Sequence, residues 1–206
     1  MLTTTEMRWF YPGTLPGEIR DWFVSDTLGK YVTSPEKRED IYLYLPNCKY
    51  MGIKLRQKRI EIKLRKSELG VLSFGDRYQG KAEKWIKWSC EDPANESLIS
   101  PDAMAKAPWL TVEKLRWQHL YQVSKDTPLK TLPVDEKFSQ GCYVEITQIN
   151  ITDKVWWSMA FEVFSQEGKL LENLKNVADF VFQSYPGADL KVENSYAYPK
   201  WLSLVN

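Results

Sequence analysis

The chain has 206 residues, 43% hydrophobic and 27% charged, with 28 Lys and Arg against 27 Asp and Glu for a net charge of +1. That length can bury a full core without disulfide or metal staples, and the composition excludes a long disordered chain, a collagen-like fibre and a membrane-embedded protein. The near-zero net charge argues against a nucleic-acid-coating protein, while the 14% aromatic content favours strands and concave binding surfaces.

The first segment, Glu6 to Phe10, reads as a short strand. Pro16-Gly17 then opens an amphipathic helix with Ile19, Trp22 and Phe23 on one side. A series of extended segments follows. Asp40 to Leu45 ends at the turn signal Pro46-Asn47, and Gly52 to Gln57 and Arg59 to Lys66 alternate apolar with charged residues around a tight connection at Lys58. Gly80 to Cys90 and Thr111 to Val123 continue the period of two. Gly141 to Ile151 and Val155 to Ser165 form a hairpin around Thr152-Asp153-Lys154.

Two stretches read as loops, Glu91 to Pro108 and Ser124 to Gly141, both rich in proline and small polar residues. After the hairpin the period changes to helical. Glu167 to Tyr185 spaces Leu170, Leu171, Leu174, Val177, Ala178 and Val181 as a buried stripe, and Pro186-Gly187 ends it. Asp189 to Val192 is short and extended, and Ser195 to Leu204 is a terminal helix or turn. The expected architecture is a single α+β domain over residues 1–206, built on a closed or nearly closed antiparallel β-barrel of about eight strands with flanking helices.

Three cysteines, Cys48, Cys90 and Cys142, show no C-x-x-C spacing and read as buried reduced thiols in a reducing cytoplasm. The start, MLTTTEMRWF, lacks the pattern of a signal peptide, and no apolar stretch approaches the roughly 18–20 residues that span a bilayer. Asn95-Glu-Ser and Asn150-Ile-Thr match the glycosylation triplet without other signs of secretion. The single histidine, His119, shares a strand face with Leu115 and Trp117 and reads as a packed side chain. Trp85, Trp88, Trp156 and Trp157 read as core and rim packing.

Charge is unevenly placed. Lys49 to Lys66 holds eight basic residues against one acid, Glu61. By strand parity, Lys54 and Arg56 share a face opposite Ile53 and Leu55. Glu61, Lys63 and Arg65 share a face opposite Ile60, Ile62 and Leu64, and Lys114, Arg116 and Gln118 share a face opposite Leu115 and Trp117. Two readings stand at this point. The ladders face water, as one side of an antiparallel sheet usually does, or they face inward and form a basic tunnel for a polyanion. Glu145 and Glu162 lie on the later hairpin, where neighbouring carboxylates are explained equally by cross-strand salt bridges and by an Mg or Mn site.

The ordered set of segments resembles the CYTH superfamily, the triphosphate tunnel metalloenzymes. The matching segments are Asp40-Ile-Tyr-Leu43, Gly52-Ile-Lys-Leu-Arg56, Ile60-Glu-Ile-Lys-Leu-Arg65, Gly80-Lys-Ala-Glu-Lys-Trp85, Glu113-Lys-Leu-Arg116, Val144-Glu145, Phe161-Glu162 and Ser195-Tyr196. The resemblance implies a basic barrel that binds a small phosphorylated ligand, a triphosphate or a nucleotide; charge balance and the lack of a long apolar stretch leave no nucleic acid or membrane among the expected partners. The resemblance also implies an Mg- or Mn-dependent phosphohydrolase, or a binding module that has lost the metal site. It places Lys54, Arg56, Lys63, Arg65, Lys114 and Arg116 on the phosphates and Glu6, Glu145 and Glu162 on the metal. The departure is in the family's first motif, E-x-E-x-K, where Arg8 replaces the second glutamate and Phe10 the lysine.

Overall fold

The alternating segments form strands, and their parity decides which side chains enter the barrel. The computed structural model describes residues 2–91, 99–123, 129–136, 139–165 and 168–206. Its strands are β1 (Leu2–Pro12), β2 (Glu36–Leu43), β3 (Met51–Arg56), β4 (Arg59–Phe74), β5 (Tyr78–Cys90), β6 (Trp109–Gln122), β7 (Lys130–Leu132), β8 (Gln140–Ile151) and β9 (Lys154–Ser165). The helices are α1 (Gly17–Val24), α2 (Pro101–Lys106), α3 (Leu170–Phe182) and α4 (Tyr198–Val205).

The strands follow the order β2-β3-β4-β5-β1-β9-β8-β6, and β6 pairs back onto β2, so eight antiparallel strands close into a barrel. Residues 109–116 of β6 pair with β2, while Leu120 to Gln122 pair with the extra strand β7. Closure leaves the barrel strands with few unpaired edges.

The apolar faces point outward, not inward. Met7 and Trp9 of β1, Val144 and Ile146 of β8, and Met159, Phe161 and Val163 of β9 share one buried cluster with Ile19 and Phe23 of α1 and Leu174, Val177 and Val181 of α3. The helices therefore cover one side of the barrel, and the main hydrophobic core lies between them and the wall. A second cluster fills one end of the barrel. There Trp201, Leu202 and Val205 of α4 meet Phe10, Tyr42, Val112, Ile149 and Ile151.

Several expected boundaries move. The first strand extends from Leu2 to Pro12, because Thr3 to Thr5 and Tyr11 also find partners on β5 and β9. β4 runs eight residues past Lys66, through register shifts between Arg65 and Ser67 and between Glu68 and Gly70 that break the sequence alternation. The stretch expected as loop around 91–108 contains α2, and that around 124–141 contains β7; residues 92–98, 124–128 and 137–138 lie outside the described residues. The same holds for Asn95 of the first glycosylation triplet and Glu167 at the expected helix start. The extended piece at 189–192 makes only a bridge from Leu190 to Tyr78, and a 3-10 turn follows at Val192–Asn194. Gln57 and Lys58 both take positive φ, which sets the tight β3–β4 hairpin.

Candidate functional site

The polar strand faces converge on a cavity of about 630 Å³ inside the barrel. All eight barrel strands contribute a charged group: β1 to β6 each supply at least one, and β8 and β9 supply Glu145 and Glu162. Of the nine residues singled out from sequence, Lys54, Arg56, Lys63, Lys114, Arg116, Glu6, Glu145 and Glu162 all line it. Arg65 does not. Its strand bends at the register shift just beyond it, and its guanidinium is held by Glu83 at 2.6 Å and Glu68 at 2.9 Å. Between the two readings left open by parity, the ladders point inward.

The cations are not bare, however. Nine basic and seven acidic side chains line the cavity, and most are paired. The excess of positive charge in the Lys49 to Lys66 block is met by carboxylates from other strands. Three ion-pair groups organise the interior.

The first centres on Asp40 of β2, which is fully buried. Arg56 grips it with Nε at 2.6 Å and Nη2 at 3.0 Å, and Lys114 Nζ lies 2.7 Å away. Lys54 Nζ is 3.5 Å from Asp40 and 3.0 Å from Glu61. Burial alone would raise the Asp40 carboxyl, but Lys114, Arg56 and Lys54 hold it well below the usual carboxylate range. Glu61 is likewise pushed down to about 2, because Lys54 and its neighbours outweigh burial. Burial pushes Lys54 down to about 8 and Lys114 well below its ordinary value. Lys114 also donates to Tyr42 Oη at 2.7 Å and sits over the Tyr198 ring at 4.0 Å.

The second group surrounds Glu145 of β8. Arg8 Nη1 lies 2.6 Å from Oε1, Arg116 Nη1 3.4 Å from Oε2, and Gln118 Nε2 donates to Oε2 at 3.1 Å. Burial works against ionisation of Glu145, but Arg8, Arg116 and Arg38 hold its carboxyl well below the usual range. Arg8 also donates to Ser158 Oγ at 3.2 Å and stacks 5.0 Å from the Tyr198 ring. Arg116 pairs with Glu36.

The third group is Lys63 between two carboxylates. Its Nζ contacts Glu6 and lies 3.3 Å from Glu162. Burial lowers this ammonium, but Glu162 and Glu6 more than offset that and raise it.

Glu6, Glu145 and Glu162, the residues that the resemblance assigns to Mg or Mn, therefore do not converge on a common point. Each is held by a cation of the chain, and among the described residues no group of three or more His, Cys, Asp or Glu is arranged to hold a metal ion. Phe10, in place of the family's lysine, lies beneath α4, with its ring stacked on Trp201 at 5.1 Å and on Tyr196 at 5.5 Å.

Sequence reasoning underrated β2 and β1. Glu36, Arg38, Asp40 and Tyr42 alternate along β2, and the same parity argument that placed Lys54 and Arg56 identifies them. Arg8 follows from parity with Glu6. Glu61 and Lys87 both line the cavity, 3.4 Å apart. His119 lies on the opposite face, buried, with Nδ1 2.8 Å from the Tyr31 carbonyl and Nε2 2.8 Å from the Phe23 carbonyl. Trp85 and Trp157 are buried, but Trp88 is exposed. Only Cys142 is a buried thiol; Cys48 is half-buried and Cys90 exposed, since β5 ends in solvent there. No helix among the described residues is long and apolar enough to cross a membrane.

No protein-family model matches the chain, and no curated protein matches it. Among solved structures the chain is similar to the PH1012 protein from Pyrococcus horikoshii OT3, at 15% identity and a TM-score of 0.49, over 98% of this chain and 99% of that one. By its own geometry the chain is an α+β protein built on a closed eight-stranded antiparallel barrel, with charged side chains inside and helices flanking the wall.

Proposed function

We propose that the barrel is a binding module for a small phosphorylated molecule, a triphosphate or a nucleotide, held in the interior cavity. The observation that supports this reading is the convergence of Lys54, Arg56, Lys63, Lys114 and Arg116, from three strands, on one cavity of about 630 Å³. Clustered cations in a partly desolvated space focus the field on an anion. Arg offers phosphate a bidentate fork and Lys a point charge. Carboxylates of the chain satisfy these cations, and phosphate oxygens would take over some of those contacts.

The test is a thermal-shift titration with inorganic triphosphate and with ATP. A ligand that binds only the folded chain raises its melting temperature. Stabilisation that weakens in Lys63→Ala and Arg116→Ala is the expected result. No shift with either ligand at millimolar concentration overturns the reading. Phosphate release from the same ligands with Mg²⁺ or Mn²⁺ separates a binding module from a phosphohydrolase. The expected release is none. Fast release that Glu145→Gln and Glu162→Gln both abolish would make the protein an enzyme.

A further inference from the structure

The carboxylate side of the cavity is already neutralised by groups that belong to the chain. Lys63 bridges Glu6 and Glu162, and Arg8 holds Glu145 at 2.6 Å. A divalent ion of the Mg²⁺ or Mn²⁺ kind needs several oxygen ligands at close to 2 Å. Placed among these carboxylates, it would have to displace an ammonium and stand beside a guanidinium that cannot lose its proton. Arg8 is 9% exposed and held between Glu145, Ser158 and the Tyr198 ring, so displacing it would break its ion pair, a hydrogen bond and a cation–π contact together.

A further cation lies near the same place. Arg38 reaches Glu36 and Asp40 only at 3.7 and 3.8 Å, beyond hydrogen-bond length. Among the described residues its side chain makes no shorter polar contact, and its Nε is buried without a hydrogen-bond partner. A half-committed guanidinium in a cavity wall leaves donors for the oxygens of an incoming anion.

Resting on the function proposed above, we propose that this barrel binds its phosphorylated ligand without a divalent metal. Arg8 and Lys63 supply fixed positive charge on the carboxylate side, and Arg38 donates to the phosphate. The fixed cations do what a bound ion would do for charge balance, but they add no exchangeable ligand position. Metal added with the ligand then has no site of its own in the barrel. It competes for the phosphate oxygens in solution.

Isothermal titration of the full chain tests this, with triphosphate and ATP as probes, in EDTA and in millimolar Mg²⁺ or Mn²⁺. The expected result is a Kd in EDTA equal to or tighter than that with metal, and no heat from either metal alone. Affinity that appears only with metal, or tightens more than tenfold with it, overturns the inference while leaving the proposed function standing. Absence of binding in every condition overturns both. Arg38→Gln is expected to weaken binding about tenfold in EDTA and in metal alike; unchanged affinity removes Arg38 from the site. Arg8→Gln is expected to weaken binding in EDTA as well. Should it fail to fold by circular dichroism, Arg38→Gln still decides, because that side chain makes no short hydrogen bond to the rest of the barrel among the described residues.

Discussion

Arg8 and Glu145 meet across the barrel wall at 2.6 Å, although 137 residues separate them in sequence, and the side chain of each is only 9% exposed. β1 and β8 are not neighbours; β9 lies between them, and the small residues Ser158 and Ala160 on its inward face leave room for the pair. The pair thus ties two strands that share no backbone ladder.

Removing one partner of a buried pair leaves the other charge desolvated. Arg8→Ala is therefore expected to cost about 3 kcal/mol, near the lower end for such a break because Arg116 and Gln118 still reach Glu145. Replacing both partners, as Arg8→Met with Glu145→Met, is expected to recover most of that loss. Urea unfolding midpoints of the single and double variants check it. A double variant no more stable than Arg8→Ala would show that the pair is needed for more than charge balance.

Acid should unfold the protein through the same pairs. Asp40, Glu145 and Glu61 are all held below the ordinary carboxylate range, Glu61 at about 2. In this direction the unfolded chain binds protons more readily than the folded one. The stabilisation is present above the unfolded value near 4.5 and is lost as pH falls toward 2. A stability profile by circular dichroism should fall through that window. Asp40→Asn should start lower and fall less steeply.

Lys54 offers a step at alkaline pH. Burial brings its ammonium down to about 8, within working range of a binding assay. Anion affinity should drop as pH passes from 7 to 9, and Lys54→Arg should flatten that drop because the guanidinium stays charged. Stability runs the other way. Between about 8 and the ordinary lysine value the unfolded chain holds the proton more tightly, so this group makes folding more favourable as pH rises. A flat affinity profile in the wild-type chain would remove Lys54 from the binding step.

The α4 plug rests on Trp201, fully buried and stacked on Phe10 at 5.1 Å. Trp201→Ala is expected to cost about 3–5 kcal/mol through the cavity it leaves. Trp201→Phe should cost much less than that, since the buried indole N–H has no hydrogen-bond partner to lose among the described residues. Thermal unfolding of both variants measures the difference. Equal losses would mean that the indole makes a polar contact through water.

How much of this could be read from the chain depended on range. Period-two alternation located the long strands, and Pro16-Gly17 with the helical spacing after it located the first helix, because such patterns report local geometry and one-sided burial. Parity placed Lys54 with Arg56 and Lys114 with Arg116 on common faces. It could not say whether those faces met water or each other, since a solvated sheet and an inward charged face leave the same alternation. The closure of β6 onto β2 decided that, together with α1 and α3 covering the outer apolar face. The pairing partners were also beyond sequence. Glu145 reads only as one of two hairpin carboxylates until the barrel brings Arg8, Arg116 and Gln118 around it, and Asp40 has no visible partner until β3 and β6 deliver Arg56 and Lys114. Local pattern determined the elements and their faces. Long-range strand pairing determined which charges neutralise which, because ion pairs inside a closed barrel depend on register between segments far apart in the chain.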